Sequence, residues 1–389
     1  MRQVIVDWFA HLLIASVRCA VVLSLPWTAR TAAARWIGWF STAEMLLYLG
    51  MISIIVLYLT IDLADRIPLR EVEFIVGIVF VIQILAICFL RFTRFIWYRR
   101  RAVANHRPAA IGFASVVVRE DFFSQTTQPV SDEFEILRTA VSLLTRLHPS
   151  MTRAHRASMR AEMASRIAAL TADAALVDFP SAPEIGTIRR RRDPDHGHFF
   201  AYSPERDPGE CLPLLLALHG HGGNPLIWLA SWKPLADRLG LIVVSPSFGY
   251  GQWEHRDAAS CLLKTVAAAR ELYSVNDRLY IAGISQGACG VTRAAAVLKP
   301  DGLIYMSPTM EAKRLEPATI PRIPVLVFQG GADVNVRPAS VDEAVASLSS
   351  IGFDVEYHRI DKEDHFLRFR SQINVDDTIS AWLAKHGAS

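Results

Sequence analysis

Three textures of apolar and polar positions follow one another along this chain, and each predicts different elements. In the first hundred residues the apolar positions are contiguous. Residues 45–61 (MLLYLGMISIIVLYLTI) carry no charge, and residues 74–90 (FIVGIVFVIQILAICFL) are broken only by Gln83. At the α-helical rise each run extends about 25 Å, the lower edge of what a bilayer core demands. Only the polar connection Asp62 to Glu73 separates them, so the pair predicts a helical hairpin through a membrane.

Arginine placement gives that hairpin an orientation. Arg91, Arg94, Arg99, Arg100, Arg101 and Arg107 follow the second run with no acid among them, whereas the connection holds two arginines against four acids. Everything after residue 91 is therefore expected on the cytoplasmic side, with Trp97 and Tyr98 as interfacial anchors. An earlier apolar segment, 4–27, carries Gln3, Asp7, His11 and Arg18 within about 80° of one another on a helical wheel. One narrow polar stripe fits a third span turned into a bundle or an in-plane interfacial helix, and three spans are favoured over two. Arg18, in the middle of the apolar stretch, argues against a cleaved signal peptide.

The second texture, residues 108–184, reads as a helical linker. Residues 133–147 place apolar positions at helical spacing before the stop His148-Pro149, and 151–176 form a second pattern rich in Ala, Arg and Met. Arg153, Arg156 and Arg160 make a basic face there, read as an ordinary solvated one. Phe179-Pro180-Ser181-Ala182-Pro183 marks a domain boundary.

From residue 185 short Val, Ile and Leu runs alternate with helical patterns. That alternation predicts an α/β domain over 185–389, a mostly parallel sheet with helices on both faces. Residues 186–192 and 198–203 read as an opening hairpin, and 214–219, 241–245, 279–282, 303–307, 324–329 and 355–360 as strands. Helices are expected at about 225–239, 257–273, 287–298, 339–351 and 374–386.

Composition changes this picture little. The net charge of +3 over 389 residues implies no partner. The four arginines at 189–192 fit an exposed strand better than a nucleic-acid site, and nucleic-acid binding is not expected. Five cysteines without a C-x-x-C pair suggest buried thiols in a reducing compartment, with neither a disulfide framework nor a zinc site.

Candidate chemistry centres on Leu279-Tyr-Ile-Ala-Gly283-Ile284-Ser285-Gln286-Gly287. A G-x-S-x-G between a strand and a helix is the setting of a nucleophile elbow, where the serine backbone is strained and small neighbours leave room for the helix. A serine hydroxyl needs a base, and the base needs an orienting acid, in the chain order Ser, Asp/Glu, His. Asp333 lies in a glycine-rich loop after the strand 324–329, and His365 in the loop after 355–360. Order and position after a strand agree for all three. Glu363 and Asp364 are weaker choices for the acid, because neighbours in sequence reach the far ring nitrogen of His365 poorly. Gln286 supplies one backbone N–H for an oxyanion hole, and the loop His219-Gly220-His221-Gly222-Gly223 the other, through His221 or Gly222. His219 and His221, with His196 and His198, raise a metal site, which lacks a facing carboxylate set and is not expected.

On these residues the sequence resembles the α/β-hydrolase superfamily. The loop at His219, Gly-Ile-Ser285-Gln-Gly, Gly-Gly-Ala-Asp333 and Asp-His365-Phe stand where that superfamily keeps its oxyanion loop, nucleophile, acid and base. Ser-Gln-Gly and His-Gly-x-Gly-Gly are similar to the phospholipase/carboxylesterase and polyhydroxybutyrate-depolymerase-like esterase branches. The residue before His365 is Asp where glycine is often found, which leaves the branch open. The resemblance covers about 185–389 and implies serine ester hydrolysis without metal or organic cofactor. Together these readings describe a membrane-anchored serine hydrolase of small-molecule or lipid esters, in a bacterial-type inner membrane with its catalytic domain cytoplasmic. A peptidase or acyltransferase on the same triad, or an inert membrane scaffold, are the rival expectations.

Overall fold

The computed structural model describes residues 111–117, 153–172, 198–207, 209–221, 225–248, 251–310, 322–369 and 375–387, with scattered helical positions between 43 and 89. The chain divides into two compact units. One comprises Met1–Asn105, Asp121–Ile136 and Pro180–Ala182; the other His106–Glu120, Leu137–Phe179 and Pro183–Ser389.

In the first unit the described positions of both apolar runs are helical. A Cβ on Gly50 would lie 3.0 Å from Gln83 Nε2, so the runs touch where one offers a glycine and the other its polar side chain. Leu46, Ile78, Val81, Ile82, Leu85 and Phe89 are exposed. Among the described residues no helix is long and apolar enough to cross a membrane. The expected spans at 4–27, 45–61 and 74–90 lie wholly or mostly outside the described residues, as does the helix expected at 133–147. The transmembrane region is thus an expectation that the structure does not support.

The second unit holds an eight-stranded sheet: β1 (Gly112–Val117), β2 (His198–Ser203), β3 (Leu212–Leu218), β4 (Ile242–Ser247), β5 (Val275–Ile284), β6 (Gly302–Met306), β7 (Val325–Gly330) and β8 (Val355–Ile360). Their spatial order is β1-β2-β4-β3-β5-β6-β7-β8. β2 runs antiparallel to β1 and β4, and every pair from β4 to β8 is parallel. This is the α/β-hydrolase-like fold that the motifs implied. The helices are α1 (Arg153–Ala172), α2 (Pro225–Leu239), α3 (Ala258–Leu272), α4 (Gly287–Leu298), α5 (Pro338–Ser350) and α6 (Val375–Lys385).

Continuous apolar runs form the central strands because both sheet faces are covered. All seven residues of β3 are buried. Alternate residues face opposite ways: Leu214, Leu216, Leu218, Leu303, Tyr305, Val325 and Val327 join α3, α4 and α5 in one apolar cluster. On the other face Trp382 of α6 packs against Gly302, and the Tyr280 hydroxyl donates to His386 O at 2.7 Å.

Two elements from the stretch read as a linker belong to this unit. β1 pairs along its whole length with β2, from Gly112 opposite Ser203 to Val117 opposite His198. The strand 186–192, expected as that partner, lies outside the described residues. α1 buries Met159, Met163, Ile167 and Leu170, a spacing of three to four residues that marks one helical face. The hydrolase-like unit is therefore wider than 185–389, because β1 covers the free edge of β2 and α1 buries an apolar stripe.

Candidate active site

The C-terminal half of β5 is fully buried and delivers Ser285 at the carboxyl end of the sheet. Ser285 adopts φ 53°, a left-handed conformation that costs an L-residue about 1–2 kcal/mol. Its backbone groups are held from three sides. Ser285 N–H donates to Met306 O at 2.9 Å, and its carbonyl accepts from Ala288 N–H at 3.0 Å and Thr309 N–H at 3.1 Å. The flanking glycines are required by close approach: a Cβ on Gly283 would stand 2.5 Å from Gly287 O, and one on Gly287 2.4 Å from Leu218 O. Across from the serine, a Cβ on Gly220 would come within 3.2 Å of Ser285 Cβ.

Asp333 and His365 meet on the loops after β7 and β8. His365 Nδ1 lies 2.8 Å from Asp333 Oδ2, with both residues buried. Asp333 Oδ1 accepts the N–H groups of Asn335 at 2.8 Å and Val336 at 2.9 Å. Gln329 Nε2 stands 3.2 Å from Asp333 Oδ2 and also reaches the carbonyls of Gly330 and Val336. Burial alone would raise the Asp333 carboxyl; the hydrogen bond and charge of His365, then the Val336 and Asn335 amides, outweigh it and hold it below its ordinary value. An ionised, fully hydrogen-bonded carboxylate on Nδ1 fixes the imidazole so that its other nitrogen, Nε2, is the basic one. The loop after β8 is seated directly on the loop after β7. Ala332 N–H donates to Glu363 O at 2.9 Å, and a Cβ on Gly330 would strike the carbonyls of Glu363 and Asp364 at 2.5 Å.

Of the other two acids near His365, Asp364 is engaged elsewhere. Asp364 Oδ2 lies 2.8 Å from His155 Nδ1 of α1, and Glu363 meets the loop after β7 through its backbone. No hydrogen bond joins Ser285 Oγ to the imidazole, so Asp333 and His365 are brought into contact and Ser285 is not yet bonded to them. Such bonds are commonly long before substrate arrives.

Gln286 caps α4, and its N–H has no acceptor among the described residues. Its side chain is held to the side by Glu254, whose Oε2 accepts from Gln286 Nε2 at 2.6 Å, while Arg293 donates to Glu254 O. His221 sits in the turn after β3, and Gly222 lies outside the described residues. His219 is tied into its own loop. It is buried, its Nδ1 donates to Gly220 O at 2.9 Å, and burial pushes its pKa down to about 4. Trp253 Nε1 donates to His219 O at 2.8 Å, so the loop after β4 props up the loop after β3. Among the described residues no group of three His, Cys, Asp or Glu could hold a metal ion.

No protein-family profile matches the chain. No curated protein matches it either. Several solved structures are similar to about half of the chain. Est1E from Butyrivibrio proteoclasticus is 18% identical, over 50% of this chain and 96% of that one, with a TM-score of 0.40. Esterase PE8 is 20% identical, over 46% and 94%, with a TM-score of 0.40. FphF, a fluorophosphonate-binding serine hydrolase of Staphylococcus aureus, is 15% identical, over 49% and 92%, with a TM-score of 0.41.

Gln329, Trp253, Glu254 and His155 support the candidate site, and none of them has a role in the sequence reading; Asp364, weighed there as an alternative acid, instead pairs with His155. For Gln329 a signal existed: a lone amide closing the apolar strand 324–329, next to a candidate catalytic loop. The others act through contacts between distant segments, which leave no periodic trace.

Proposed function

We propose that this chain is a serine hydrolase of carboxylic esters. The observation that carries the reading is the buried Asp333–His365 hydrogen bond of 2.8 Å, at the same sheet edge as a serine in a strained elbow. In this mechanism Ser285 Oγ attacks the acyl carbonyl while His365 Nε2 takes its proton. The imidazolium is held by ionised Asp333, and the carbonyl oxygen, now an oxyanion, is bound by the N–H of Gln286 and that of His221 or Gly222. Collapse of the tetrahedral intermediate breaks the ester C–O bond and the imidazolium returns the proton to the leaving alcohol. Water then repeats the attack on the acyl-enzyme, giving the free acid and restoring Ser285. No step calls for a metal or organic cofactor.

The uncharged apolar run 45–61 and the run 74–90 in the sequence support a membrane anchor. The arginines at 91–107 support a cytoplasmic catalytic unit, which would place the site beside lipid or acyl-chain esters. The test is turnover of p-nitrophenyl esters of graded acyl length by the wild type and Ser285→Ala. Loss of turnover in a variant that melts normally is expected; an equally active Ser285→Ala ends the proposal.

A further inference from the structure

The loop carrying His365 is fixed from outside the sheet as well as from the loop after β7. Asp364, the residue before it, is 2% exposed, so its carboxylate has almost no access to water. Oδ1 accepts the N–H of Phe366 at 2.9 Å, closing a turn with His365 at its centre. Oδ2 accepts from His155 Nδ1 at 2.8 Å, across a chain separation of 209 residues. The same helix reaches the far end of the loop, where the Arg166 guanidinium lies 5.6 Å over the Phe369 ring. Buried Arg368 donates to Ser231 O at 2.8 Å and pairs with Asp376 of α6. The Phe366 ring stands edge-on to the imidazole, with centroids 5.4 Å apart.

We infer that His155 and Asp364 are positioning residues for the general base: α1 holds the Asp364 carboxylate, and that carboxylate sets the turn that aims His365. This rests on the reading of His365 as the base. Without His155, a buried carboxylate loses its outside partner and is driven to turn toward water or another donor, which opens the turn around His365. Displacing a reacting group by a fraction of an ångström to an ångström lowers the rate of the chemical step while leaving substrate binding largely alone.

The experiment uses the full chain and three variants, His155→Ala, His155→Asn and His155→Gln. Asparagine places an amide donor near the position of Nδ1, whereas glutamine carries it one carbon too far. Readouts are kcat and KM on a soluble p-nitrophenyl ester, the rate constant for fluorophosphonate labelling, and the melting temperature. His155→Ala is expected to lower kcat and the labelling rate ~10–100-fold with KM nearly unchanged, and His155→Asn to recover most of the loss. Met159→Ala, which loosens the buried face of the same helix, should lower the melting temperature and leave kcat in place. If His155→Ala does not fold, the order asparagine above glutamine decides. An active wild type with His155→Ala or His155→Gln at the same rate overturns this inference alone. A wild type inert toward ester and probe overturns the hydrolase reading and the inference together.

Discussion

Replacing Asp333 by asparagine changes no shape and removes one charge, so its effect can be worked from four contacts. The carboxylate accepts from Asn335 N–H and Val336 N–H on Oδ1, and from His365 Nδ1 and Gln329 Nε2 on Oδ2. A carboxamide has one oxygen. If that oxygen keeps the two backbone amides, the new NH2 faces His365 Nδ1, which must then accept. The ring proton moves to Nε2, the nitrogen that has to take the serine proton, and the base is disabled. If the amide turns over, its NH2 meets two backbone donors and the loop after β7 opens. The first arrangement keeps more hydrogen bonds and so prevails. A wrong tautomer costs ~10⁴ in kcat in the well-studied serine protease case, equivalent to about 5.5 kcal/mol. Here we expect a loss of ~10³–10⁴ in kcat with little change in KM, and about 1.5–3 kcal/mol of stability for the lost charged hydrogen bond. The assay is steady-state hydrolysis of a p-nitrophenyl ester beside thermal unfolding. A kcat within about tenfold of wild type would refute the assignment of Asp333 as the orienting group. The same substitution has a pH signature. Because the folded-state pKa of Asp333 is depressed, its stabilisation is complete above the unfolded value of about 4 and disappears as pH falls through the folded value. The difference in melting temperature between wild type and Asp333→Asn should therefore shrink on acidification below about pH 4; a gap that persists unchanged contradicts the charged pair.

Two further substitutions probe the frame. Gly287→Ala puts a methyl 2.4 Å from Leu218 O and 2.9 Å from His219 O, both backbone atoms, so β3 and α4 must separate; a loss of at least ~2 kcal/mol is expected in denaturant titration. A midpoint equal to wild type would mean the elbow is not packed as described. A fragment spanning residues 185–389 lacks β1 and α1, exposing the edge of β2 and removing the partner of Asp364. It should be aggregation-prone and much less active than the full chain, and a soluble, fully active fragment would contradict the wider domain.

Much of the second unit was legible because its signals are local. Apolar runs such as 214–218 and 303–306, fully buried in a parallel sheet, announce themselves by continuity, and the expected helix at 225–239 matches α2. The elbow strand was legible only in part. Its first residues, Val275 to Arg278, are partly or fully exposed, so the apolar run begins four residues after the strand does. β1 was missed because an edge strand of six residues, GFASVV, has little to distinguish it from a loop. The amphipathic face of α1 was readable, yet nothing in its pattern says that it packs beside the catalytic loop. His155 illustrates the limit: its importance lies in a contact with a residue 209 positions away. Trp253 is the same kind of case, anchoring the carbonyl of His219, whose need for a donor arises only once the loops are folded.

The most direct test is the site of covalent capture. The intact protein should react with a fluorophosphonate to one adduct per chain, and mass spectrometry of its digest should place that adduct on Ser285. Substitution of His365 by alanine should slow the capture by orders of magnitude. Modification at any other residue, or a folded chain that the reagent leaves untouched, would contradict the account.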